Sequence, residues 1–111
     1  PGEGGAGVTI KEFRDLLLTA DPEARHYTHA TSGNYTVWSE YNEVYGIADD
    51  QIASKVAHIQ VDRYTRLEYD PMVDTITHTL DEGGVLVIDR RTLFEMDSGY
   101  IHHIWDCELM P

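Results

Sequence analysis

Between Ser54 and Arg66 the chain alternates, with Ala57, Ile59 and Val61 on one side and His58, Gln60, Asp62 and Tyr64 on the other. Successive side chains of a strand point to opposite faces, so this segment is a long strand with one face buried. His26–His29 and Tyr35–Tyr41 are rich in aromatic and β-branched residues and flank a short turn signal, Ser32-Gly33-Asn34. That pattern predicts a β-hairpin. Two more strands are expected at about Val85–Phe94 and Tyr100–Met110, joined by the turn Met96-Asp97-Ser98-Gly99.

Two segments carry the helical period instead. Thr9 and Glu12 have the spacing of a capping box, Val8 and Phe13 that of a hydrophobic staple, and Ile10, Phe13, Leu16 and Leu17 share one face. A helix from about Ile10 to Thr19 follows, ended by Asp21-Pro22. Asp70 is a good N-cap and Pro71 suits a first helical position; Met72, Val73, Ile76 and Leu80 form the apolar stripe. Gly83-Gly84 provides the stop. The order is α-β-β-β-α-β-β. It lacks the rhythm of a doubly wound sheet and predicts an α+β fold, a mostly antiparallel sheet of about five strands with two helices on one face. Residues 1–7 hold four glycines and read as a flexible lead-in or cloning remnant. Residues 8–111 are expected to form a single domain.

Charge narrows the possible partners. Asp and Glu number 20 against 8 Lys and Arg, for a net charge of −12. Such a field repels phosphate, which disfavours both sequence-independent nucleic-acid binding and docking to anionic membranes. It also suits a surface along which DNA passes without sticking. No apolar run approaches the ~20 residues of a membrane-spanning helix, so the chain reads as soluble. Cys107 is the only cysteine, so no internal disulfide can form, and its apolar strand setting is that of a core residue.

Catalytic patterns are lacking. The six histidines include no metal-binding spacing, although His58, His102 and a carboxylate such as Asp62 or Asp106 could be assembled across neighbouring strands. There is no nucleophile elbow and no phosphate-binding loop, and acidic pairs such as Asp49-Asp50 fall at loops or helix ends. The expectation is a protein with no catalytic residues, no cofactor and no metal. Seven tyrosines and two tryptophans, several crowded between Tyr35 and Tyr45, suggest instead that some aromatics face a partner. Arg90-Arg91, a basic pair on a very acidic chain, would suit a neighbour's acidic patch.

The chain resembles the small tail-completion or tail-terminator proteins of long-tailed bacteriophages and prophages. The matching segments are Thr9–Phe13, Asn34–Tyr41, Ile59–Arg66 with the following helix Asp70–Leu80, and the closing arm Asp97–Leu109. The resemblance implies a virion protein, made in the bacterial cytoplasm, that caps the tail tube and presents a surface to the head-side connector. It implies rings, often hexamers, around the channel that DNA traverses, joined by head-to-tail contacts. On that basis the subunit contacts are expected on the Tyr41–Asp50 loop, with Tyr41, Tyr45, Asp49 and Asp50, and on the strand bearing Arg90 and Arg91. A second reading is a small-ligand-binding or lyase-like domain of the cone-shaped barrel type, with His58, Asp62, Tyr64 and His102 lining a cavity. A prophage-encoded inhibitor of a host protein is a third.

Overall fold

The structure, a computed structural model, describes residues 8–41 and 57–109. Helix α1 spans Ile10–Ala20. The Thr9 hydroxyl accepts from the Glu12 N–H and the Glu12 carboxylate from the Thr9 N–H, both at 3.0 Å. This reciprocal cap answers two amide donors that a helix start otherwise leaves without partners. Helix α2 spans Pro71–Glu82, and Asp70 accepts from the Met72 N–H at 3.0 Å. Its end falls at Gly83, and Gly84 takes φ +79°, a left-handed turn that glycine makes without strain.

Among the described residues five strands form one sheet: β1 (Arg25–His26), β2 (Tyr35–Glu40), β3 (Ala57–Thr65), β4 (Leu86–Glu95) and β5 (Tyr100–Leu109). Their spatial order is β1-β2-β3-β5-β4. β3 and β5 lie at the centre, antiparallel, in register from Ala57 opposite Leu109 to Thr65 opposite Ile101. The alternation read from the sequence holds through the described part of the segment, Ala57–Thr65; residues 54–56 lie outside it. The expected α+β order is what the molecule has, with a mixed sheet that is mostly antiparallel.

One expectation fails. His26–His29 and Tyr35–Tyr41 do not form a hairpin: β1 runs parallel to β2, with Arg25 opposite Val37 and His26 opposite Trp38. Tyr27 stands at φ 71°, which turns the chain out of the strand after two residues. The segment through Gly33 then loops back so that β2 starts alongside β1 instead of returning against it. The turn signal was real, but it closes a wider loop.

Both helices pack on one face of the sheet. Phe13, Leu17 and Ala20 of α1 and Ile76 and Leu80 of α2 meet Trp38, Ile59, Val61, Trp105, Cys107 and Leu109 in one core cluster. Each fully buried aliphatic side chain contributes about 1.5–3 kcal/mol from removal of apolar surface from water. Beneath the helix ends a polar network replaces apolar packing. Arg63 on β3 donates to Asp70, the α2 cap, at 2.9 Å, to the Thr36 hydroxyl at 3.1 Å, and reaches Asp21, the α1 C-cap, at 3.5 Å. All four residues are buried. Burial alone would raise the Asp70 carboxyl, but the Met72 N–H, the Arg63 guanidinium and the Thr65 hydroxyl outweigh it and hold it below the ordinary range.

Candidate functional site

The two edges of the sheet are built differently, and the difference is the most informative feature of the surface. At one edge β1 is two residues long and exposed, and an aromatic stack ties it to β2 across one face of the sheet. His26 stacks on Trp38 with centroids 3.7 Å apart, and Tyr27 stacks on His26 at 4.1 Å. Glu40 accepts from the Tyr27 hydroxyl and contacts His26 Nε2, each at 2.9 Å. The hydrogen bond to Glu40 raises the Tyr27 phenol above its ordinary value. Short edge strands are a common defence against unwanted strand pairing.

The other edge, β4, is long. It runs for ten residues, pairs only with β5 among the described residues, and is exposed along most of its length. Leu86 and Leu93 are each 50% exposed, Phe94 63%, and Met96 in the following turn 83%. A register shift between Val87 and Asp89 leaves Ile88, also exposed, outside the inner ladder. From Leu86 to Met96 two acids, Asp89 and Glu95, are matched by Arg90 and Arg91. The strip is therefore neutral (−2 and +2) on a chain of net −12.

Arg90 and Arg91 thus sit on an open edge, but neither guanidinium lacks a partner. Arg91 bonds Asp89 at 2.8 Å and Asp106 at 3.3 Å. Arg90 lies on the helix side with its guanidinium 4.5 Å from the Trp105 ring centroid, a cation–π contact. The Tyr41 hydroxyl donates to Asp106 at 3.4 Å, so Asp106 brings together two residues fifty apart, Tyr41 and Arg91. Tyr45, Asp49 and Asp50 lie outside the described residues.

The face of the sheet away from the helices carries a second cluster. His102 Nε2 lies 2.7 Å from Asp62 Oδ1, and its Nδ1 lies 3.0 Å from Glu95 Oε2. Gln60 donates to the same Asp62 oxygen at 2.8 Å. Tyr64 stacks on His102 at 4.1 Å and on Tyr35 at 4.9 Å, and Tyr100 stands edge-on to both tyrosines. Burial first, then the charge of Asp62, pushes the Tyr64 phenol well above its ordinary value, so it stays protonated. Asp62, Tyr64 and His102 therefore converge, whereas His58 stays apart against Tyr41 and Glu108. The rings stack on or stand edge-on to one another. Chemically the cluster is a hydrogen-bonded tie across β3, β5 and the end of β4. Among the described residues no group of three or more His, Cys, Asp or Glu is arranged to hold a metal ion. Cys107 is buried in the core, and burial pushes its thiol up to about 12, far from a nucleophile's range.

The sequence reading placed Arg90 and Arg91 on the right strand but missed the Tyr27–His26–Trp38 stack and the Glu95 arm of the His102 tie. Compared with known proteins, the chain matches no family model and no curated protein.

Proposed function

We propose that this chain is a structural subunit of the tail-completion or tail-terminator type, assembling into a ring that closes a phage or prophage tail tube and meets the head-side connector. The observation that carries the reading is the β4 edge, which is long, open, apolar and locally neutral on an otherwise acidic subunit. Exposed apolar edges of this length promote uncontrolled pairing unless a partner covers them. One edge strand is two residues long and the other ten, as fits a subunit joined to neighbours on a chosen side. The −12 charge suits a lumen along which DNA slides without adhering. On this reading the protein acts in the virion, is assembled in the host cytoplasm, and needs no cofactor.

Electron microscopy of the purified protein, alone and mixed with tail tubes of its phage, tests the reading. Rings with an open centre, or density capping tube ends, are the expected result. Tubes left uncapped, with no rings at any protein concentration, would overturn it. The pocket reading retains one specific observation, the meeting of Asp62, Tyr64 and His102. A small-molecule screen giving a rise in melting temperature that is lost in His102→Ala would favour it instead.

A further inference from the structure

We infer that in the free protein the β4 edge is covered by the β4 edge of a second copy, paired antiparallel about a two-fold axis at Arg90. The pair and the proposed ring would use the same β4 edge and exclude one another there; the inference concerns the free protein and does not depend on the tail-completion reading.

The argument begins with which surfaces are open to strand pairing. β1 offers only two residues and the chain turns out of the strand at Tyr27, so head-to-tail continuation of the sheet from β4 onto β1 finds almost no ladder to pair with. β4 is then the open edge left for its own copy among the described strands. Charge points to the same occupant. Two subunits of −12 repel, and they approach at least cost through a neutral strip such as Leu86–Met96.

Side-chain matching selects the register. Antiparallel partners must point to the same side of the continued sheet. With Arg90 at the axis, Asp89 opposes Arg91 of the second copy and Arg91 opposes its Asp89, all four on the helix-free side. Ile88, outside the inner ladder, is skipped on the outer edge as well. Leu86 then opposes Leu93 of the second copy, again twice and again on the helix-free side, and Val87 opposes Thr92 on the helix side. Both leucines are half exposed in the single chain and become covered. Moving the axis to Thr92 would set Asp89 against Glu95, and moving it to Arg91 would set that arginine against itself beside the other copy's chain. At the chosen axis Arg90 meets its own copy, but each guanidinium is drawn back over Trp105.

Sedimentation velocity across a concentration series, with engineered cysteines, tests the pairing. The sole natural cysteine, Cys107, is buried and does not interfere. Wild-type protein is expected to show a monomer–dimer equilibrium. Leu86→Lys with Leu93→Lys is expected to weaken it at least tenfold without changing the circular dichroism spectrum. Arg90→Cys alone should form a disulfide dimer under mild oxidation. Leu86→Cys alone should not, yet it should cross-link when mixed with Leu93→Cys protein. A monomer at every concentration, or a Leu86→Cys protein that cross-links to itself as fast as Arg90→Cys, would overturn the inference. Rings in the microscope without the pair would remove this inference and leave the tail reading standing; the pair without rings or capped tubes would do the reverse.

Discussion

Arg63→Met tests the physical account of the fold most directly. Arg63, Asp70 and Asp21 are 8%, 8% and 7% exposed, so the guanidinium and both carboxylates are nearly out of water. Methionine keeps most of the side-chain volume and removes the charge, so packing loss is minor and the cost is electrostatic. Breaking a buried ion pair by removing one partner costs about 3–5 kcal/mol. The low end applies here, because Asp70 keeps the Met72 N–H and Asp21 keeps the Glu23 N–H, each at 3.0 Å. A loss of about 3 kcal/mol is a large share of the about 5–15 kcal/mol typical of a domain. At about 4 °C per kcal/mol it corresponds to a fall in Tm of about 12 °C. Urea denaturation and thermal melts followed by circular dichroism read it. Arg63→Met combined with Asp21→Asn and Asp70→Asn should recover most of the loss, since the neutral amides no longer need a cation. A cost below about 1 kcal/mol for Arg63→Met, or a triple variant less stable than the single one, would refute the reasoning.

Asp70 makes stability depend on pH with a defined sign. Its folded carboxyl lies below the ordinary value, so its contribution is full above about pH 4 and is lost as pH falls through the lower folded value. Asp70→Asn keeps an N-cap acceptor but not the charge, so the Tm gap between wild type and variant should narrow from pH 7 to pH 3; a constant gap would sink the assignment. Cys107, with its thiol pushed up and its side chain in the core, should react with a thiol reagent only as fast as the protein opens. Labelling of native protein at the rate seen for unfolded chain would contradict its burial.

How much could be read from the sequence follows the range of each interaction. The caps of α1 and α2 and the Met96–Gly99 turn are written within a few residues of themselves, so local chemistry suffices to find them. The alternation of β3 is equally local, and it correctly separates Ile59 and Val61 from Asp62 and Tyr64. The hairpin failed because the path of two residues was decided elsewhere: His26 gains a stacking surface on Trp38 and the Tyr27 hydroxyl donates to Glu40, twelve and thirteen residues away. The placement of β5 between β3 and β4 rests on pairings some forty residues apart, which no window of sequence contains. The same distance hides the ion network, where Arg63 and Asp21 lie 42 residues apart, and the tie between Asp62 and His102, 40 apart. At the candidate interface, the arginine pair stood out by its charge. Its internal partners Asp106 and Trp105 come from the cross-strand register, and only the sheet reveals them.

The central position of β5 also shapes how the chain is made. β3 and β4 each have an edge that only β5 pairs, so neither ladder is complete until residues 100–109 are available. Completion of the sheet therefore waits on the last of the described strands, which lies between both neighbours. Contacts of such wide sequence separation form slowly, and sticky edges are exposed meanwhile. Nascent chains interrupted before Tyr100 would carry two adhesive strands and no means of closing them, which makes them natural clients for chaperones and prone to cluster.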